Sequence, residues 1–173
     1  SIWLRNHPIA YSEKIVTDIF MDSKLLDGEV ASQKAPIPKD PLLLSRHIKS
    51  LGYFYRADIV GICELPQWAL FSHDDDGNPV NLKHKYAIVL VVDQDYRTMS
   101  GSNGFDWISR SQTSRGYAHS DVITCMMASY IRKLGFAARA HVFRNELVVV
   151  PPLLILSGIG EASRTSVALN PFL

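Results

Sequence analysis

The sequence contains little cysteine, almost no net charge and no long hydrophobic run, and each of these absences excludes a class of protein. Its 173 residues include only two cysteines, Cys63 and Cys125. An iron-sulfur cluster or a structural zinc site needs about four thiolate or imidazole ligands, so neither centre fits within this sequence. Because both cysteines sit in apolar stretches and no CxxC pair occurs, they are predicted to be core thiols.

Charge and hydropathy argue against two kinds of partner. The 18 basic and 17 acidic side chains leave a formal net charge of +1, whereas binding to nucleic acid needs a concentrated positive field. The longest apolar run, residues 147–156, is interrupted by Pro151 and Pro152 and is much shorter than the about 20 residues of a membrane span. No export-signal pattern follows the first residue, Ser1, so a cytoplasmic location is expected.

Length and composition predict one compact α+β protein. A hydrophobic fraction of 47% is enough to fill a core at this size. Apolar residues at helical spacing predict a helix near residues 11–21, and a polar, proline-containing stretch follows it. We therefore predict an N-terminal helix and linker over residues 1–39 and a main domain over residues 40–173.

The main domain is predicted to mix helices and strands. Asp40 and Pro41 have the side chains of a helix cap and first turn, and Gly52 is predicted to close that helix. A second helix is predicted from Ser120 to Gly135, after a long loop rich in serine and glycine over residues 100–116. The remaining predicted elements are strands at 57–64, 86–92, 137–143 and 165–169 and a short helix at 150–158.

Residues 158–163, GIGEAS, nearly match the dinucleotide-binding fingerprint. The third glycine is missing and the motif follows a helix-like run instead of a strand, which disfavours a nicotinamide site. Two interpretations stay open: a helix end with a tight turn, or a backbone that a large flat cofactor approaches closely.

Tyr117 is the candidate for acid-base chemistry. It is predicted to lie where the serine-rich loop meets the following helix, two residues after Arg115. A helix N-terminus and a guanidinium would favour the ionised phenol and so make it a better proton donor. The competing interpretation is a tyrosine that only packs. His119, Ser120 and Asp121 contain the residue types of a hydrolase triad but are too close in sequence to face one another, and the histidine spacing predicts no metal site.

Several segments in order carry a family resemblance. The segment 135–173 contains a GF strand, an asparagine before an apolar proline-containing helix, an SGIGE turn, and then an arginine and Asn-Pro. It resembles the cobalamin-binding core of reductive dehalogenases and, more remotely, epoxyqueuosine reductases. Upstream, YAIVLVVDQDYRTM and DWISRSQTSRGYAHSDV are similar to the cytosolic, catabolic branch of the dehalogenase family. The matches together cover about residues 40–173.

The resemblance implies a fold, a cofactor and a reaction. The implied fold is a nitroreductase-like α+β core, a mixed sheet flanked by helices, that holds cobalamin in its base-off form. The implied reaction is removal of halogen from organohalides, haloaromatic compounds in particular, by reduced cobalt, with a proton delivered by tyrosine. By position Tyr117 matches that tyrosine, and Asn145, with Arg115 and His141, lines the cleft. The implied corrin contacts are Ser157, Gly158, Gly160, Glu161, Ser163 and Arg164.

This sequence also departs from the family pattern. The basic partner of the tyrosine and the cysteines for two 4Fe-4S clusters would lie beyond residue 173, in an iron-sulfur module that receives electrons from a reductase or ferredoxin. The chain alone is therefore not expected to be a competent enzyme, and a fragment, a split subunit and a degenerate copy are all open hypotheses. A non-catalytic corrinoid-binding module, a flavin-dependent nitroreductase-like enzyme and a small interaction domain without a cofactor also stay open as functions.

Overall fold

A computed structural model describes residues 8–104, 106–165, 167–171 and 173, and it confirms the α+β class. The helices are α1 (Pro8–Ile19), α2 (Ser23–Leu26), α3 (Pro41–Phe54), α4 (Tyr96–Ser100), α5 (Trp107–Lys133) and α6 (Val150–Leu156), with a 3-10 helix at Gln67–Ala69. The strands are β1 (Ile59–Glu64), β2 (Tyr86–Val91), β3 (Glu161–Ala162) and β4 (Ala168–Leu169).

The strands form two separate antiparallel pairs. In the first pair Ile59 of β1 lies opposite Val91 of β2, and β3 pairs with β4 in the second. The predicted mixed sheet is therefore wrong for the part of the chain that the structure describes. The predicted strand at 137–143 is also wrong: the N–H of Ala140 donates to the carbonyl of Leu26 at the end of α2, and no strand ladder forms there.

Three groups of buried side chains form the core. One fills the space between α2, α5 and the segment after α5, a second lies between the β1–β2 pair and α6, and a third lies between that pair, α3 and α5. Cys125 belongs to the first group and Cys63 packs partly buried against the second, and both are free thiols. None of the described helices is long and apolar enough to cross a membrane.

Helix α3 confirms the predicted start and corrects the predicted end. The Asp40 carboxylate accepts a hydrogen bond from the N–H of Leu42 at 2.9 Å, as an N-cap does. The helix continues past Gly52 because this glycine lies against the strand: a Cβ added there would be 2.7 Å from Cγ2 of Val60. Gly52 thus permits close packing of α3 on β1 and does not end the helix.

Helix α5 begins at Trp107, well before the predicted start at Ser120, so much of the predicted loop at 100–116 is helical. The missed signal is Asp106, whose carboxylate accepts from the second and third N–H groups of the helix. Serine and glycine lower intrinsic helix propensity, but tertiary burial outweighs this: Ser111 and Gln112 are buried, and the Gln112 amide donates to the carbonyl of Gln94.

Gly61 controls the packing of α6 on β1. A Cβ added at Gly61 would lie 2.6 Å from Oγ and 2.7 Å from Cβ of Ser157, at the end of α6. We expect Gly61→Ala to lower the free energy of unfolding by about 2 kcal/mol, because the helix end must move away from the strand. Urea denaturation would measure this. Gly101→Ala is the control, since a Cβ there would come no closer than 3.4 Å to the nearest atom, and an equal loss in both variants would contradict the argument.

Candidate functional site

Tyr117 lies inside α5 and not at its N-terminus. The predicted effect of the helix dipole on its phenol is therefore wrong, because this effect falls off within the first turn. Its ring stacks on Phe143, with centroids 3.9 Å apart and an angle of 24° between the planes. The side chain is still 38% exposed, so one side of the phenol is held by an aromatic neighbour while another faces outward.

A tight turn at residues 142–145 connects Tyr117 to Asn145. The N–H of Asn145 donates to the carbonyl of Val142 at 2.9 Å, and Arg144 has a φ of +71° in the left-handed region. This one turn carries both Phe143, on which the tyrosine stacks, and Asn145. The structure therefore groups two of the residues that the resemblance predicts for the cleft.

Arg139 and His141 support the same turn. The Arg139 guanidinium donates to the backbone carbonyl of Asn145 at 3.3 Å and to its side-chain oxygen, and lies 3.1 Å from Nδ1 of His141. The N–H of Leu147 donates to the same Nδ1 at 3.2 Å. Burial, with smaller contributions from Arg139 and His84, lowers the pKa of His141 to about 3. The imidazole is thus neutral, with Nδ1 as acceptor, and orders the loop.

Asp121 is a residue of this cluster that sequence reasoning considered only as a member of a rejected triad. It is 2% exposed, and its Oδ1 accepts a hydrogen bond of 3.0 Å from the N–H of Phe143. Its Oδ2 finds no hydrogen-bond partner among the described residues. Burial raises the pKa of Asp121 to about 6; the Phe143 hydrogen bond opposes this, and the nearby Glu146 adds to it. No local pattern signals this long-range contact.

Arg115 is exposed on α5, and its charge acts on the N-terminus of α4. There the N–H and hydroxyl of Thr98 contribute most to lowering the pKa of Asp95, with a smaller contribution from Arg115. Arg115 thus acts electrostatically on a surface helix cap.

The turn after α6 confirms the helix-end interpretation of the glycine motif. Helix α6 ends at Leu156, and Gly158 follows with a φ of +74°. Gly160 packs closely inside the turn, because an added Cβ would lie 3.2 Å from the Leu154 side chain and 3.3 Å from the carbonyl of Leu169. The Ser157 hydroxyl donates to the Leu154 carbonyl at 2.9 Å.

Three of the six predicted corrin contacts are therefore occupied inside the turn. Like Ser157 and Gly160, Ser163 is engaged internally, where its hydroxyl oxygen accepts from two following N–H groups. The others, Gly158, Glu161 and Arg164, are exposed. A Cβ added at Gly158 would have no atom within 4 Å, so the backbone there is open to a flat group. The outward side of this turn fits one edge of a large macrocycle.

An open cleft of about 690 Å³ adjoins this turn, and the sequence did not signal it. Its lining includes the aromatic rings of Trp68 and Tyr86, and Leu156 forms the side next to the turn. Charged side chains of both signs also line it, namely Lys83, Lys85 and Glu64. Its volume lies in the range of about 300 to 1,000 Å³ that is typical of small-molecule sites. Within the described part of the chain, no group of three or more His, Cys, Asp or Glu side chains is placed to hold a metal ion.

Comparison with known proteins shows which solved structures this chain is similar to. No protein-family model and no curated protein matches the chain. Solved structures do match: the N-terminally tagged catabolic reductive dehalogenase NpRdhA at a TM-score of 0.86, and the same protein in complex with 3-bromo-4-hydroxybenzoic acid at 0.89, each 34% identical over 98% of this chain. A further match, with the same identity and coverage, is a reductive dehalogenase structure for which B12-dependent dehalogenation is described.

The resemblance to reductive dehalogenases that the sequence predicts is confirmed. The match to the catabolic reductive dehalogenase NpRdhA covers nearly the whole of this chain. This chain spans 25% of the length of NpRdhA. The more remote resemblance to epoxyqueuosine reductases stays a prediction.

Proposed function

We propose that this chain is the cobalamin-binding part of a reductive dehalogenase that removes halogen from organohalides, with haloaromatic compounds as the substrate class. The observation that carries the proposal is the match over 98% of the chain, at 34% identity and a TM-score of 0.89, to a dehalogenase in complex with a brominated aromatic acid. The stack of Tyr117 on Phe143, in the same turn as Asn145, supports the proposal that these two residues serve as proton donor and cleft wall.

The surface of the chain supports the interpretation as one part of a larger protein. Its accessible area is 11,693 Å². A compact protein of 19.4 kDa exposes about 8,500 Å². The excess of about 3,000 Å² is several times the about 800 Å² that one partner buries in a standard interface.

Apolar side chains make up part of this excess. On α1, Tyr11, Ile15 and Ile19 follow one another at intervals of four residues and are 62%, 55% and 61% exposed. A continuous apolar stripe of this kind favours burial against further protein. We propose that the remainder of a dehalogenase, including an iron-sulfur module fed by a reductase or ferredoxin, packs on such surfaces. A nitroreductase-like arrangement and a cytoplasmic location belong to the same proposal.

The outward residues of the turn after α6 would hold one edge of the corrin. Gly158 leaves its backbone open, while Glu161 and Arg164 offer an acceptor and a donor to polar groups on the corrin rim. Ser157, Gly160 and Ser163 shape the turn from within. Cleavage of the carbon-halogen bond is the chemistry that reduced cobalt of base-off cobalamin supplies when bound.

The residues of this chain contribute orientation and a proton. The phenol oxygen of Tyr117 would hold the proton that the carbon receives, and Phe143 restricts the tilt of the tyrosine ring through the stack. The Asn145 amide, fixed by Arg139, would line the cleft beside it. An aromatic pair next to the substrate also excludes water from one side of the reacting carbon.

A visible-spectrum titration of the chain with hydroxocobalamin tests the proposal. We expect stoichiometric binding with the base-off spectral change. Arg164→Glu is expected to weaken binding because it reverses a charge at the corrin edge, whereas Arg97→Glu, an exposed reversal on α4, is the matched control. No spectral change at saturating hydroxocobalamin would contradict a corrinoid slot within this segment, and a yellow protein with bound flavin would favour a flavin-dependent nitroreductase-like enzyme instead.

A further inference from the structure

We infer that Asp121 is a positioning residue for Tyr117 and acts on it through Phe143. The Asp121 carboxylate accepts a hydrogen bond from the backbone N–H of Phe143, and the ring of Phe143 stacks on the ring of Tyr117. The inference rests on the proposed function in one respect, namely that the orientation of Tyr117 matters for turnover. The contacts that run from Asp121 through Phe143 to Tyr117 do not depend on that function.

The first link is the hydrogen bond between Asp121 and the turn. Its Oδ1 accepts from the N–H of Phe143 at 3.0 Å in a site where Asp121 is 2% exposed. A hydrogen bond to a carboxylate is about twice as strong as one between neutral groups. It joins α5 to a residue 22 positions further along the chain and ties the first bend of the turn to the helix.

The second link is the geometry of the turn itself. Arg144 has a φ of +71°, which L side chains other than Asn and Asp rarely adopt, so the turn needs external support on both sides. Asp121 supplies the support before Arg144, and the Arg139 guanidinium supplies it after, through the carbonyl of Asn145 at 3.3 Å. Release of the Phe143 N–H would let residues 143 and 144 relax towards ordinary backbone angles.

The third link is the stack. Tyr117 and Asp121 are four residues apart on α5 and therefore share one face of the helix. The Phe143 ring lies 3.9 Å from the Tyr117 ring, which is 38% exposed. Without that wall, an exposed tyrosine on a helix exchanges among its side-chain rotamers. Movement of the turn thus changes where the phenol oxygen lies.

Stability does not explain a carboxylate at this position. Oδ2 has no partner among the described residues, the carboxylate of Glu146 is close enough to repel, and the surrounding core includes the buried Cys125. Burial of a charge with one of its oxygens unpaired is unfavourable for folding. The carboxylate fixes the position of Phe143, and Phe143 in turn fixes the position of the Tyr117 ring.

Nuclear magnetic resonance of the chain with isotope-labelled tyrosine tests the placement, with the Tyr117 ring signal identified by its loss in Tyr117→Phe. A stacked neighbour displaces ring-proton signals upfield. We expect Phe143→Leu, Asp121→Leu and Asp121→Ala each to abolish this displacement. Asp121→Asn keeps an oxygen acceptor and is expected to retain it, as is Asp75→Asn, which removes an exposed carboxylate in a distant turn.

The double variant Asp121→Leu with Phe143→Leu decides whether the effect passes through Phe143. We expect its Tyr117 signal to coincide with that of Phe143→Leu alone. A further displacement in the double variant, or an unchanged signal in Phe143→Leu or in the folded Asp121→Leu and Asp121→Ala variants, would overturn the inference. Where the larger changes at Asp121 prevent folding, Phe143→Leu keeps the inference falsifiable, because an unchanged Tyr117 signal in that variant overturns it.

Turnover separates this inference from the proposed function. In a complete dehalogenase that includes these residues, Asp121→Leu is expected to lower kcat about 10-fold to 100-fold, with an unchanged KM and cobalamin spectrum, because the phenol is misplaced. Asp121→Asn should recover most of that kcat. If the tyrosine signal moves as expected but neither Tyr117→Phe nor Asp121→Leu changes turnover, the proposed role of Tyr117 fails and its positioning by Asp121 stands.

Discussion

On the proposed function, Tyr117→Phe is expected to lower turnover about 100-fold or more in a complete dehalogenase that includes these residues, while cobalamin binding stays unchanged. Proton transfer by a positioned side chain contributes about 10² to 10⁴ in rate. The substitution removes only the phenol hydroxyl, because phenylalanine keeps the stack on Phe143. Binding of cobalamin, followed by its visible spectrum, should therefore show the same affinity in both proteins.

Tyr130→Phe provides the matched control on the same helix. The Tyr130 hydroxyl is hydrogen-bonded to Nε2 of His47 at 2.8 Å, away from the stacked pair. Its loss should cost about 1 kcal/mol of stability and leave turnover intact. Equal turnover in Tyr117→Phe and the wild type would remove Tyr117 from the mechanism. A fall in both variants would point to α5 as a whole rather than to one proton donor.

The predictions that succeeded rest on local signals. Asp40 followed by Pro41 fixes the start of α3 because capping and proline geometry are properties of adjacent residues. The β-branched runs that form β1 and β2 were also identified, since their length and composition suit buried strands. In both cases the tertiary structure adds nothing that contradicts the local preference.

The predictions that failed concern contacts between distant segments. The start of α5 has a local signal in the Asp106 cap, but the serine-rich stretch after it has low helix propensity and gains helical order from burial and from the hydrogen bond of Gln112 to Gln94. The segment after Gly135, predicted as a strand, instead forms a hydrogen bond from Ala140 to the carbonyl of Leu26 in α2. The residue types of the segment do not identify that partner. Long-range partners of this kind are set by packing.

The candidate site divides in the same way. Tyr117 and Asn145 are predicted from the family resemblance, and in the structure the turn that contains Asn145 also carries Phe143, on which Tyr117 stacks. Phe143, Asp121 and Arg139, which set the geometry, were not predicted as members of the site. Their roles depend on one left-handed residue and two hydrogen-bonded side chains, features that residue types alone do not display.

Opposing pH dependences of stability are the second large effect we expect. The pKa of Asp121 is raised to about 6, so the folded state binds its proton more tightly than the unfolded chain does. Its contribution to stability is complete below about pH 4 and is lost as the pH rises through 6. At 1.36 kcal/mol per pKa unit, the loss is at most about 3 kcal/mol.

His141 acts in the other direction. Its pKa is lowered to about 3, so the unfolded chain binds that proton more tightly. The stability associated with the neutral imidazole is present above about pH 6.5 and is lost as the pH falls towards 3. The charged groups that act on it are Arg139 and His84, both of which oppose protonation.

Between about pH 4 and 6 the two contributions change with opposite sign and largely cancel in the wild type. Removing one of the two titrating groups should therefore reveal the pH dependence that the other gives to the free energy of unfolding. Urea denaturation of the chain across this pH range measures it. Relative to the wild type, Asp121→Asn should gain stability as the pH rises from 4 to 7, and His141→Gln should gain it as the pH falls from 7 to 4. Asp75→Asn, an exposed control, should follow the wild type.

The double variant Asp121→Asn with His141→Gln removes both titrations at once. Its stability should again change little between about pH 4 and 6 apart from the contribution of surface carboxylates. If the free energy of unfolding of Asp121→Asn changes with pH as that of the wild type does, the Asp121 carboxylate is ionised in the folded protein at pH 4. The hydrogen bond to Phe143 would then outweigh burial, and Asp121 would hold the turn as an anion throughout the range.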